Sequence, residues 1–239
     1  MLRHKLMLSL VVFSLAGCAT THHKPLVLPE QRDPLEKVNR MTFAANKVFD
    51  KVVFYPIAKT YQATYPVQLR DRVTDALQNL REPNNFVNAV LQAKFADAGK
   101  IATRFVVNTV FGMFGLFDIA GKTYDIPYKR HDFSSTLGSW GIKRGPYLVL
   151  PIKGPSTFRD TIGLIADTAM DPLNIIYYTT DDINSLPWVR TTVEAIDDRA
   201  HMIEPLEELE KTSLDFYTGV KSSYYQHKSG DTPEDYDAL

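Results

Sequence analysis

The residues through which this chain could do covalent chemistry are few. His131, Asp132 and Ser135 are the types that form a nucleophile, base and orienter set. Such sets are assembled in space, so closeness along the chain does not make one. Gly138-Ser139-Trp140-Gly141 has the outline of a nucleophile elbow. The G-x-S-x-G pattern, however, needs a residue between its first glycine and its serine. Arg159-Asp160 reads as a structural ion pair or a helix-terminus contact. His22-His23 stands without the further ligands a metal needs and reads as solvated loop. HExxH, CxxC and P-loop patterns do not occur. The residues therefore predict no catalytic group, no metal and no cofactor.

Cys18 is the only cysteine of 239 residues, so no internal disulfide can form. A basic start, Arg3-His4-Lys5, precedes an apolar run from Leu6 to Leu15. This is the pattern of a secretory signal and is too short for a transmembrane helix. It ends in Leu15-Ala16-Gly17-Cys18, which resembles the bacterial lipobox, in which the thiol is lipidated and the chain is cut before the cysteine. An ordinary signal with a chance cysteine is the alternative. The position of the single cysteine favours the lipobox. Residues 1–17 are then a signal peptide, and 18–32, with Pro25 and Pro29, an acylated anchor and tether. Ala19 differs from the Asp associated with inner-membrane retention, which points to the outer membrane. Several acyl chains together anchor stably where one does not.

A net charge of −1, with 44% hydrophobic and 23% charged residues, suits a globular domain. It argues against nucleic acid as a partner, which usually needs a basic face. Asp33-Pro34-Leu35-Glu36 predicts a capped helix start, with Asp33 as N-cap and Glu36 as N3. The helix is expected to reach about Val53, before Pro56. At about 100° per residue, Val38, Thr42, Ala45, Phe49 and Val52 share an apolar stripe. Arg40, Lys47 and Lys51 share a basic one. Asn39, Phe43, Asn46 and Asp50 form a third, which a simple surface helix does not need. Its asparagines either satisfy buried backbone groups of neighbouring helices or line a wet cavity.

Helices are also expected over 68–81, broken at Glu82-Pro83, then over 84–94 and 97–109. Residues 105–120 are nearly all apolar and carry Gly112 and Gly115. They fit a buried core helix or an interfacial segment, and a lipid anchor favours the second. Strands over 136–142 and 147–150, joined by Lys143-Arg144-Gly145, predict a β-hairpin made permissive by Gly138, Gly141 and Gly145. A helix capped by Ser156 or Thr157 follows, with Ile162, Ile165 and Ala169 as its core side and Asp171-Pro172 at its end. Ser185 is expected to cap another helix, interrupted at Pro205 and followed by a last one carrying Phe216 and Val220. Residues 33–228 thus form one domain, and the acidic stretch 229–239 reads as a disordered tail.

Several segments together resemble the MlaA (VacJ) family of outer-membrane lipoproteins. They are Asp33-Pro34-Leu35-Glu36 with Asn39-Arg40, Phe43 and Asn46; Asn79-Leu80, Pro83, Asn88 and Leu91-Gln92; and Arg104-Phe105, Asn108-Thr109, Gly112, Gly115, Asp118 and Ala120. The densest run is Asp132-Phe133, Thr136-Leu137-Gly138, Gly141, Gly145-Pro146-Tyr147, Leu150-Pro151, Gly154 and Arg159-Asp160. Ser134 and Ala93 depart from glycines usual in that family. The resemblance implies a mainly α fold: a ring of amphipathic helices in the membrane leaflet, one small β-hairpin and a central amphipathic channel. It implies removal of phospholipid misplaced in the outer leaflet and its transfer to a periplasmic carrier protein, in association with a trimeric porin. On that footing Asn39, Phe43, Asn46 and Asp50 are channel-lining candidates. Phe105, Phe111, Phe114 and Phe117 are lipid-contact candidates, and Gly138, Gly141 and Gly145 hinge candidates. A lipoprotein that only scaffolds a porin or envelope complex is the rival expectation.

Overall fold

The computed structural model describes residues 33–179 and 186–228. The lipobox, the tether, the cap expected at Ser185 and the acidic tail lie outside the described residues.

The first helix, α1 (Glu36–Phe49), is not capped by Asp33: Leu35 holds the N-cap position and no side chain caps it. The Asp33 carboxylate points inward instead. It accepts from Asn39 Nδ2 at 2.8 Å, from Tyr217 Oη at 2.5 Å and from Lys221 Nζ at 3.3 Å. A carboxylate bound to three side chains from α1 and the far end of the fold is not free to bond the helix start. Nor does the helix stop before Pro56. A π-helical turn (Asp50–Phe54) leads straight into α2 (Tyr55–Thr64). Pro56 falls in the first turn of α2, where its missing N–H costs least.

Helix α3 (Val67–Leu91) runs through Pro83 rather than breaking there. An interior proline costs roughly 3 kcal/mol. Here Asn79, Glu82, Asn85 and Asn88, on both sides of it, are buried and bonded, which holds the two halves in line. Helix α4 (Phe95–Val110) packs back on α3 more extensively than any other pair of elements. Between them the chain turns on Ala93, with φ of +56°. Lys94 N donates to Ala89 O at 2.9 Å, the bond of a Schellman motif whose left-handed position is usually glycine.

Helix α5 (Ile119–Tyr124) is capped by Asp118, and α6 (Phe133–Ser139) by a capping box of Asp132 and Ser135. That box makes residues 133–139 helical, which overturns the strand expected over 136–142. Among the described residues the one hairpin lies later. Strand β1 (Tyr147–Leu150) pairs antiparallel with β2 (Gly154–Thr157), Leu150 opposite Gly154, around a turn at 151–153. Gly138 therefore sits inside α6, and Gly141 and Gly145, both with positive φ, lie in the link from α6 to β1.

Helix α7 (Phe158–Met170) is capped by Thr157, as one of the two expected residues. Its expected core side is reversed: Ile162 and Ile165 are exposed, and Arg159 and Gly163 are buried. The reason is the close approach of α6, since a Cβ on Gly163 would lie 2.6 Å from Ser134 N. Asp171 ends α7, and α8 (Pro172–Thr179) follows. Helices α9 (Leu186–His201), α10 (Ile203–Thr212) and α11 (Phe216–Lys228) complete the described chain. Among the described residues, no helix is long and apolar enough to cross a membrane.

Candidate functional site

The polarity of this fold is inverted. Its apolar clusters are small: Ala58, Ala200 and Ile203; Ala89, Ala98 and Ile101; Tyr147, Val149 and Tyr217. Among the described residues, buried polar and charged side chains outnumber buried apolar ones.

The polar interior is one connected network. Asp167 of α7 accepts from Asn84 at 2.9 Å, from Asn88 at 2.8 Å and from the Phe133 N–H. Asn88 accepts from Thr136, and Thr136 also receives Gln92 Nε2 at 3.0 Å. Gln92 bonds the His131 ring, and the His131 N–H donates to Asn85, which in turn donates to Glu82. Glu82 pairs with Arg104 Nε at 2.8 Å, and Arg104 reaches Asp118 at 3.1 Å and the Ile126 carbonyl. Glu82 and Arg104 are 0% and 2% exposed. Burial pushes the Glu82 carboxyl up, and bonds from Arg104 and Asn85 oppose that. Asp167 is likewise raised by burial, against its bond from the Phe133 N–H. Periodicity gave a signal for this network that the sequence reading missed: Asn79, Glu82, Asn85, Asn88 and Gln92 recur every three or four residues, on one helix face.

The stripe of α1 makes a separate set of contacts. Asn39, 2% exposed, donates to Tyr147 O at 2.9 Å and accepts from Val149 N at 2.9 Å. Asn46 does the same one step along, donating to Leu150 O and accepting from Ile152 N, each at 2.8 Å. Phe43, between them, packs on Phe216 and Tyr217. Asp50 holds Arg199 through two bonds, at 2.6 and 2.9 Å. Both asparagine amides are thus bonded to the backbone of the hairpin rather than to neighbouring helices.

The candidate triad does not assemble as one. Ser135 bonds Asp132 as its helix cap, and His131 Nδ1 faces Gln92. Ser134 donates to Asp160. Burial alone would raise the Asp132 carboxyl, but Lys228, Arg130 and the Ser135 bonds outweigh it and hold it at about 2.

Outside, apolar side chains are exposed in two regions. Phe105 is partly buried, but beyond α4 the chain forms a loop on which Phe111 is 72% and Phe114 82% exposed. Val106, Val110, Met113 and Leu116 are exposed beside them, and Phe117 lies under Arg72, whose guanidinium is 4.5 Å from the ring centroid. Asn79 anchors the loop from inside, bonding Thr109 at 3.0 Å. Gly115 crosses Asn79 so closely that a Cβ would lie 2.4 Å from it. A second apolar surface belongs to α7 and α8, where Leu164, Ile165, Thr168, Ala169, Asn174 and Ile175 line a cleft of about 440 Å³. Exposed apolar side chains gathered in this way mark a site of contact with a membrane or a partner.

Fold and surface define a mainly helical protein with a polar interior, exposed apolar patches and, among the described residues, one two-stranded hairpin. The chain belongs to the MlaA lipoprotein family, whose model matches residues 31–230. An uncharacterised Rickettsia felis protein is 36% identical over 198 residues, covering 82% of this chain and 76% of its own. The Haemophilus influenzae intermembrane phospholipid transport system lipoprotein MlaA is 32% identical, over 91% of this chain and 86% of its own. The Escherichia coli protein of the same name is 33% identical, over 89% and 82%. A solved structure from work on the structural basis for maintenance of bacterial outer membrane lipid asymmetry superposes with a TM-score of 0.70 at 32% identity. It covers 87% of this chain and 100% of its own.

Proposed function

We propose that this chain is an outer-membrane lipoprotein, anchored through Cys18 on the periplasmic side. It removes phospholipid misplaced in the outer leaflet through an amphipathic channel and passes it to a periplasmic carrier protein, so preserving lipid asymmetry. The inverted polarity carries this reading. An apolar outside offers lipid tails the contacts they lose on leaving a bilayer, while the buried polar groups bond one another and hold the scaffold from within. A trimeric porin would hold the protein in place. Phe111, Phe114 and Phe117 are the side chains assigned to lipid contact, with Phe105 behind them. Gly141 and Gly145 serve as hinges for the hairpin, which Asn39 and Asn46 grip from α1. No covalent step is needed, so the protein acts as a transporter and not an enzyme.

The test is reconstitution in vesicles with labelled phospholipid and a soluble acceptor carrier. Intact phospholipid should move to the carrier. Hydrolysed product, or no movement above protein-free vesicles, would sink the reading. A protein that stabilises a porin but moves no lipid would be the scaffold instead. Replacing Gly141 or Gly145 by valine should change outer-leaflet phospholipid at normal protein level; unchanged lipid would remove the hinge.

A further inference from the structure

The loop after α4 is apolar, strained and held from beneath. Residues 110–117 carry no ionisable side chain. Met113 and Phe114 have φ of +52° and +59°, and Gly115 follows at +94°. Two consecutive residues with a Cβ in the left-handed region are unusual, since each is strained there. Such strain persists only where the surroundings over-determine it. The strained side chains are the ones turned outward: Met113 is 61% and Phe114 82% exposed.

Two sets of contacts impose that conformation. Within the loop, the N–H groups of Phe111, Phe114, Gly115, Leu116 and Phe117 all donate to carbonyls of residues 107–113. A loop that leaves water for hydrocarbon needs this, because no water remains there to bond its backbone. Under the loop, α3 presents Arg72, Asp75 and Asn79 at helical spacing on one face. Asn79 Nδ2 donates to Thr109 Oγ1 at 3.0 Å and to Phe114 O at 3.5 Å. It thereby fastens the last turn of α4 to the carbonyl of a strained residue. Gly115 crosses directly against Asn79, with no room for a Cβ. Asp75 pairs with Arg72 at 3.2 Å and with Lys122 at 3.3 Å, and accepts the Asp118 N–H at 3.4 Å. Charges thus stand at the base of the loop and none at its tip.

We propose that residues 110–117 are a shallow wedge formed before it meets lipid, and that Asn79 is the residue that positions it. Its partner is the hydrocarbon edge of a phospholipid leaflet. The charges of Arg72, Asp75 and Lys122 stop it near the head groups. The wedge rests on the lipid-contact reading above and adds a cause to it. Side chains already fixed lose little freedom on entering the leaflet, so less of the binding free energy is spent on ordering them. Without Asn79 the lipid itself would have to order the loop, and binding would be weaker.

The experiment uses the chain made unacylated by Cys18→Ser and co-flotation on vesicles of phosphatidylethanolamine and phosphatidylglycerol. Asn79→Leu keeps the buried volume and removes both bonds. It should weaken vesicle binding about tenfold, the scale of ordering one or two side chains. Without vesicles, it should speed amide exchange at 114–117 while the denaturation midpoint stays near that of the parent. Thr109→Val, which removes one of the two bonds, should show a smaller loss of binding, and decides the matter if Asn79→Leu does not fold. In a Phe114→Ser background the effect of Asn79→Leu on flotation should shrink, because the side chain it positions is gone. An effect of equal size in that background would mean a general structural role and would overturn the wedge. Unchanged flotation in both Asn79→Leu and Thr109→Val would overturn it as well. So would amides at 114–117 that exchange freely in the parent until vesicles are added. A parent chain that does not float would instead sink the lipid-contact reading beneath it.

Discussion

The α3–α4 interior and the loop at 111–117 are built from one continuous stretch of chain, yet they solve opposite problems. Inside, Glu82, Arg104, Asn85, Asn88 and Asn108 are buried and bonded to one another or to nearby backbone. Outside, Phe111 and Phe114 stand with most of their surface open. In a water-soluble domain the aromatic side chains would supply the burial and the charges would face solvent. Here polar bonds, which contribute little each but are expensive to break one-sidedly, hold the fold. The apolar groups are left for an outside partner. The contrast makes a steep prediction. Arg104→Ala leaves Glu82 buried and uncompensated and should cost about 3–5 kcal/mol, read as a loss of folded protein or a large drop in denaturation midpoint. Phe114→Ala should hardly change that midpoint. If the two variants unfold alike, the comparison fails.

The outer region is tested by membrane affinity rather than stability. Each exposed phenylalanine that enters hydrocarbon is worth about 2 kcal/mol. Phe111→Ser with Phe114→Ser should therefore weaken vesicle binding by about 4 kcal/mol, roughly a thousandfold, in a chain made unacylated by Cys18→Ser. Vesicle co-flotation measures it. Equal flotation of variant and parent would show that the loop does not enter the bilayer.

The interior also has a pH signature, of intermediate size. The Asp132 carboxyl sits at about 2 in the fold, below its ordinary 3.8, so its stabilisation is fully present above about pH 4 and is lost as pH falls towards 2. The difference amounts to about 2 kcal/mol. Asp132→Asn should flatten this part of the stability–pH curve measured by denaturant unfolding. A variant with the same acid limb as the parent would assign that limb to other carboxylates.

How much of this was legible beforehand depends on the range of the interaction that decides each element. The mainly helical fold and the family were readable, because periodicity and ordered motifs are local. The cap at Thr157 and the end of α7 at Asp171 were readable for the same reason. The hairpin is expected at 136–150 and lies at 147–157, because residues 136–139 belong to the helix nucleated by the Asp132–Ser135 box. Pro83 was expected to break a helix, but buried neighbours on both sides override it. Ile162 and Ile165 were assigned to a core by a rule that assumes water outside. In a protein of inverted polarity the same residues face out. Asp33 shows the limit most clearly: its local pattern is a helix cap, and partners more than 180 residues away claim its carboxylate.

The smallest predicted effect concerns Ala93. It holds φ of +56° at the turn from α3 to α4, a region that costs a residue with a Cβ about 1–2 kcal/mol. Glycine would remove that strain but lose more freedom on folding, an opposing cost of about 0.5–1 kcal/mol. The surplus favours Ala93→Gly by about 0.5–1 kcal/mol, seen as a raised denaturation midpoint with an unchanged slope. The Schellman bond from Lys94 to Ala89 is made by backbone alone and survives the change. Because this turn lies beside Gln92, which bonds Thr136 and His131, a stabilised turn should tighten the polar interior and leave vesicle binding untouched. A midpoint that falls instead would mean the chain relieves the strain elsewhere, and that the interior tolerates more backbone freedom at Ala93 than its bonds suggest.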